Sequence, residues 1–144
     1  MGMIRDAYRT FMDGAIGTSQ GTTYTDAFNV GEQGFPIDKM HIYGQIIDAA
    51  TSGGSATVQF VIEKDTTSAF GSATEVWDSG AIAVATLVDD YVIKNAVIDS
   101  LDWQEAVGSD TWLRIKIVIA TADLTAGDAF FGIVSGTPPI NTRV

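Results

Sequence analysis

The sequence predicts an all-β fold, an antiparallel two-sheet jelly-roll sandwich. Three observations point there. Apolar residues recur with a period of two along most of the chain, as half-buried strands require. Gly, Thr, Ser and Asp interrupt that pattern at roughly ten-residue intervals. The 144 residues are 46% hydrophobic and 18% charged, enough apolar material for one core without disulfides, and the chain has no Cys.

The clearest strand covers residues 112–119. Leu113, Ile115, Ile117 and Ile119 share one face, while Trp112, Arg114, Lys116 and Val118 share the other. Residues 56–64 alternate nearly as well, with Val58, Phe60 and Ile62 inward and Thr57, Gln59 and Glu63 outward. A strand over 41–47 precedes it, and Thr51-Ser52-Gly53-Gly54-Ser55 suits an antiparallel connection between the two. Shorter runs at 75–78, 82–87, 91–97 and 129–135 follow the same period, with Asp89-Asp90 as a turn. Weaker candidates lie at 15–19 and 23–28. About eight or nine strands result, and a jelly roll is the common way to arrange eight.

Three segments depart from this pattern. Ile4, Ala7, Tyr8, Phe11 and Met12 follow the spacing of one helical face, which predicts a short N-terminal arm over residues 1–13 ahead of a jelly-roll domain over 14–144. Such an arm either needs a partner surface or lies as a lid over the domain's own core. Residues 99–108 combine a capping Asp99 or Ser100, acids in a first turn and a terminating Gly108, and predict a short helical insertion. Pro138 and Pro139 remove two backbone donors, so the tail 136–144 runs extended rather than in a sheet.

Charge narrows the partners. Eight Lys and Arg against 18 Asp and Glu give a net charge of −10. The cations are scattered and form no basic patch, which argues against direct nucleic-acid binding. No run is apolar enough for a membrane-spanning helix, and the opening residues lack the apolar region of a secretory signal. A soluble domain without membrane contact is expected.

Catalytic constellations are sparse. His41 is the only histidine, too few for a cupin-type metal centre, and it reads as an ordinary strand residue. No Gly-x-Ser-x-Gly elbow, phosphate-binding glycine loop or zinc spacing occurs. Carboxylates such as Asp89-Asp90 and the Glu63/Asp65 pair match no EF-hand, although a calcium site assembled from distant loops stays open. The expectation is no enzyme, no cofactor and no catalytic residue.

Aromatic residues are more informative. Trp112 shares the outward phase of its strand with Arg114 and Lys116, and Trp103 sits in the acidic insertion. Trp and Arg on an outer sheet face are residue types enriched where proteins meet. Alternatively a monomer folds its own loops over them.

Taken in order, several blocks resemble the small jelly-roll cement, or decoration, proteins of tailed bacteriophages. They are Ala56-Thr57-Val58-Gln59-Phe60-Val61-Ile62-Glu63, then Thr67-Ser68-Ala69-Phe70-Gly71-Ser72-Ala73, then Asp78-Ser79-Gly80-Ala81-Ile82 with Leu87. Trp112-Leu113-Arg114-Ile115 and Leu124-Thr125-Ala126-Gly127 complete the set, and Ile4-x-Asp6 followed by Phe11 also looks similar. The acidic insertion and the Pro138-Pro139 tail are atypical of that pattern. The resemblance implies a non-enzymatic structural protein of the virion, made in the bacterial host cytoplasm. It would bind the outer capsid surface as a homotrimer and bridge major capsid subunits. Its partners would be further copies of itself and the major capsid protein. On that reading Ile4, Tyr8, Phe11, Met12, Trp103, Trp112, Arg114 and Lys116 are the expected trimer or capsid contacts. The alternative is a carbohydrate-binding β-sandwich module from a tail fibre or secreted enzyme, with Trp77 or Trp103 stacking on sugar rings. A hydrolase using a carboxylate pair is the third reading.

Overall fold

The computed structural model describes residues 7–29, 40–97 and 111–135. Their strands are β1 (Ala7–Ala15), β2 (Gly21–Tyr24), β3 (Phe28–Asn29), β4 (Met40–Ser52), β5 (Thr57–Asp65), β6 (Thr74–Asp78), β7 (Ile82–Ala83), β8 (Val92–Val97), β9 (Trp112–Ala120) and β10 (Leu124–Ser135). One sheet, sheet A, runs in the order β1-β10-β4-β8. The other, sheet B, runs β2-β9-β5-β6, with β3 also on β9 and β7 also on β5. All pairings among the described residues are antiparallel. Taking β2 with β3, and β6 with β7, as interrupted single strands leaves eight that cross repeatedly between the sheets in jelly-roll order. The predicted fold class is therefore the observed one.

Alternation builds the core. Leu113, Ile115, Ile117 and Ile119 of β9 meet Val58, Phe60 and Ile62 of β5 on the inner face of sheet B. Ile42 and Ile46 of β4 with Ala129, Phe131 and Ile133 of β10 line sheet A opposite them. The Phe60 and Phe131 rings close the gap between sheets, their centroids 5.3 Å apart. Phe131 can lie there because its neighbour across the strand pair is Gly44. A Cβ at that position would overlap three carbons of the Phe131 ring. Glycine is thus required at 44 by a close approach rather than by a turn.

The pole where β1 leads into β2 and β4 into β5 is tied by loop-to-loop bonds. The Leu124 amide donates to the Thr18 carbonyl (2.8 Å), and the Gln20 amide to Asp123 Oδ1 (2.9 Å). Ser52 Oγ reaches the Asp123 carbonyl (2.6 Å), and the Ala49 amide reaches Asp89 Oδ1 (2.7 Å). Asp89-Asp90 forms the expected turn, and Asp90 takes a left-handed backbone conformation there (φ 66°).

Several expectations are corrected. Residues 7–12 are not helical: they belong to β1, which pairs with β10 from Ala7 to Ala15. Register shifts between Ala7 and Arg9 and between Thr10 and Met12 change the phase of the strand. Two such shifts convert a period of two into spacings of three and four, which is what imitated a helix. Phe11 is buried, its ring 5.2 Å from Phe28 of the opposite sheet, and Met12 packs on the same core. The expected boundary after residue 13 falls inside this strand. Residues 16–20 form a loop rather than a strand, with Gly17 at φ 113°. Over 82–87 only Ile82–Ala83 is strand; Val84–Thr86 form a single 3-10 turn that drops Leu87 into the core. β10 begins at Leu124 rather than 129, because repeated register shifts before Ala129 hide its alternation. The 51–55 connection joins strands of different sheets, so β4 and β5 do not pair. The helical insertion at 99–108 and the tail at 136–144 lie outside the described residues.

Two outcomes follow. Phe11→Ala is expected to cost about 3–5 kcal/mol in denaturant unfolding, the range for a buried phenylalanine, whereas an undocked arm would give almost no change. Gly44→Ala is expected to lose about 1–3 kcal/mol through overpacking, and combining it with Phe131→Leu should recover part of that loss.

Candidate interaction surface

The outer face of sheet B collects the outward residues of β9, β5, β6 and β2. Register places them: Glu63 stands opposite Arg114 and Glu75, Val61 opposite Lys116 and Asp78, and Tyr24 opposite Lys116. In β9 the burial alternates residue by residue, so Trp112, Arg114, Lys116 and Val118 are half-buried on this face while their neighbours are buried in the core.

Glu63 is the electrostatic centre. Its side chain is only 7% exposed, and Oε1 accepts from Arg114 Nε at 2.8 Å. Lys116 Nζ lies 3.6 Å from Glu63 Oε2 and 3.4 Å from Glu75 Oε2. A buried carboxylate with two cationic partners is compensated, whereas one alone would be costly. Burial opposes the charge on Lys116, but Glu63 and then Glu75 outweigh it and hold the ammonium above its ordinary range. At the far edge the Gln59 amide donates to both Asp78 oxygens (2.7 and 2.8 Å), and the Gly80 amide adds a third bond. These bonds hold the Asp78 carboxyl below the usual carboxylate range. Asp65 is lowered too, first by the Ser72 amide and also by that of Thr66.

Arg114 has a second set of contacts. Its guanidinium lies 3.8 Å from the Tyr24 ring centroid and 4.1 Å from that of Phe70. Phe70 adopts a left-handed backbone conformation (φ 52°) in the β5–β6 loop and is buried, while Tyr24 stays 52% exposed on the edge strand β2. Neither Tyr24 nor Phe70 is among the contact residues expected from the sequence. Tyr24 sits in a short polar strand and Phe70 in a loop, and only their tertiary neighbour Arg114 joins them.

Among the expected contact residues, Trp112, Arg114 and Lys116 are thus together on one face. Phe11 and Met12 are engaged by the chain's own core, and Tyr8 lies on β1. Ile4 and Trp103 lie outside the described residues. Trp77 does not offer an open sugar platform: it packs against the core, and Lys94 Nζ lies 4.8 Å over its ring. Burial holds the Lys94 ammonium below its ordinary range. His41 lies on β4 as expected. Among the described residues no group of three or more acidic or histidine side chains is arranged to hold a metal ion. No helix among them is long and apolar enough to cross a membrane.

Comparison with known proteins adds one match. The family model Bbp16 fits residues 15–133, the span from the end of β1 to near the end of β10. The chain belongs to the Bbp16 family. No curated protein matches it. The Bbp16 match takes in all of β2 to β9, so the strands that carry the outer face of sheet B lie within the matched span.

The ion pairs set two expectations. Glu63→Gln should cost about 3 kcal/mol, because Arg114 and Lys116 would keep their half-buried charges with a weaker partner; urea denaturation measures it. The pKa directions set the pH response. Asp78 and Asp65 are depressed, so their contribution is present above the unfolded carboxyl value near 4 and is lost as pH falls through the folded values. Lys116 is raised, so its contribution holds below the unfolded value near 10.4 and is lost as pH rises through the folded one. Melting temperature should therefore fall on both flanks. Asp78→Asn should flatten the acid flank, and Lys116→Met the alkaline one.

Proposed function

We propose that this Bbp16-family protein is a non-enzymatic structural component of a phage virion. On this reading it is a cement protein that binds the outer face of the head as a homotrimer and bridges major capsid subunits. The observation that carries the reading is the outer face of sheet B, where aromatic and paired charged side chains stand on a hydrogen-bonded sheet. Such a face offers contact area with little freedom left to lose on docking. The blocks that resemble the cement proteins lie largely on described elements: β5, the β5–β6 loop, the β6–β7 turn and the starts of β9 and β10. A rigid sandwich fits the mechanical task. Packed nucleic acid pushes a thin shell outward, and a clip across neighbouring subunits resists their separation. Three copies in one assembly repeat every weak contact with the shell, so avidity holds what a single copy would release.

Light scattering on the purified protein at high micromolar concentration should report three copies; a strictly monomeric protein would overturn the trimer. Electron microscopy of phage heads with and without the protein should show added density on the outside of the shell. Heads stripped of it should burst at lower temperature. Removing residues 1–13 does not serve as a docking test, because it deletes most of β1 and takes Phe11 from the core.

A further inference from the structure

Charge decides where two copies of this chain can meet. Each carries a net charge of −10, so approach through most of its surface is repulsive. Asp13, Asp26, Asp48, Glu75, Asp78, Asp89 and Asp123 are exposed, whereas Lys64, Lys94, Arg114 and Lys116 are all half-buried. The pole where β1 leads into β2 and β4 into β5 is the extreme case: it carries Asp13, Asp48, Asp89, Asp123 and Asp128, and residues 10–38 and 40–63 contain no Lys or Arg.

The outer face of sheet B differs. Its β2–β9 half carries Tyr24, Trp112, Arg114 and Lys116, and its β5–β6 half carries exposed Glu75 and Asp78 and half-buried Asp65, while Glu63 is buried beneath Arg114 and Lys116. Here Arg114 and Lys116 offset part of the acidic charge, so repulsion between copies is weaker than at the pole, and the half-buried cations of one copy can lie near the exposed Glu75 and Asp78 of the next.

Within this face Tyr24 has the properties of an anchor. It is 52% exposed on an edge strand, and its ring rests on a guanidinium that also contacts the Phe70 ring and donates to Glu63. An exposed aromatic already held in one place loses little freedom when a partner covers it.

From these observations we infer that the outer face of sheet B is the surface on which a second copy of this chain docks, with the Tyr24 ring as its anchor. Arg114 is then a positioning residue that acts through Tyr24. The inference rests on the self-association in the proposed function and goes beyond it in naming the face, the anchor and the occupant.

The test compares the wild type with two single variants by sedimentation velocity over a concentration series. Tyr24→Ala removes the anchor. Thr22→Arg removes no described contact and adds bulk and charge two residues away on the same exposed strand. Both are expected to weaken self-association about thirtyfold or more, as truncation of an interface hot spot does, while Thr22→Arg keeps the wild-type melting temperature. Val88→Ala, at the exposed turn on the acidic pole, should assemble as the wild type does. A wild type that is monomeric throughout would end the oligomeric reading itself. An assembling wild type whose two variants assemble equally well would overturn the assignment of the face and leave that reading intact. Loss of assembly in Val88→Ala alone would place the contact at the acidic pole and also overturn it.

Discussion

β5 and β9 lie at the centre of sheet B, hydrogen-bonded on both sides, and that position constrains everything else. Their inward residues must be apolar and closely fitted, because they form half of the sandwich core. Their outward residues are therefore dictated by register. Once Ile62 faces Ile115, Glu63 must stand beside Arg114 and Asp65 beside Trp112. Slipping the pair by one residue would put the apolar set of one strand on the same face as the charged set of the other, so that charged residues of β5 or β9 would enter the core. Core packing and the charged outer face are two sides of one pairing, and neither can be changed alone.

The ion-pair group on that face contributes order rather than large net stability. Bringing Glu63 to near-complete burial has a desolvation cost, which Arg114 and Lys116 offset. What the arrangement supplies is position: Arg114 cannot swing away from Glu63 without leaving that buried carboxylate to Lys116 alone, and the Tyr24 and Phe70 rings hold the guanidinium in place. The opposite side of the molecule follows a different rule. On sheet A, Tyr43 and Phe130 form a second buried cluster outside the main core. The Tyr43 hydroxyl is buried without a hydrogen-bond partner among the described residues, and burial, followed by the charge of Asp90, pushes its pKa up. The sandwich is thus layered unequally, with a paired polar face on sheet B and an apolar cluster on sheet A.

Much of this architecture was legible in the residues. β9 and β5 stand almost where their alternation puts them, because a regular strand buried on one face writes its period directly into the sequence. Trp112, Arg114 and Lys116 were assigned to one outward face by the same argument. The failures cluster where the ladder is irregular. β1 and β10 each contain register shifts, which break the period of two, so β1 imitated a helix and the first part of β10 went unseen. Leu87 was read as a strand residue because an apolar side chain that enters the core from a 3-10 turn leaves the same local trace.

By itself, then, the sequence determined the class of fold, the central strands, their inward and outward faces and the acidity of the whole. Those properties follow from local periodicity and composition, which act within a few residues. Tertiary structure alone decided that residues 7–15 close the edge of sheet A, that Gly44 makes room for the Phe131 ring, and that Tyr24, Phe70, Glu63 and Arg114 form one group. Each of these joins residues far apart in the chain. Such meetings depend on strand register and on the crossing of the chain between sheets, and no local pattern encodes either.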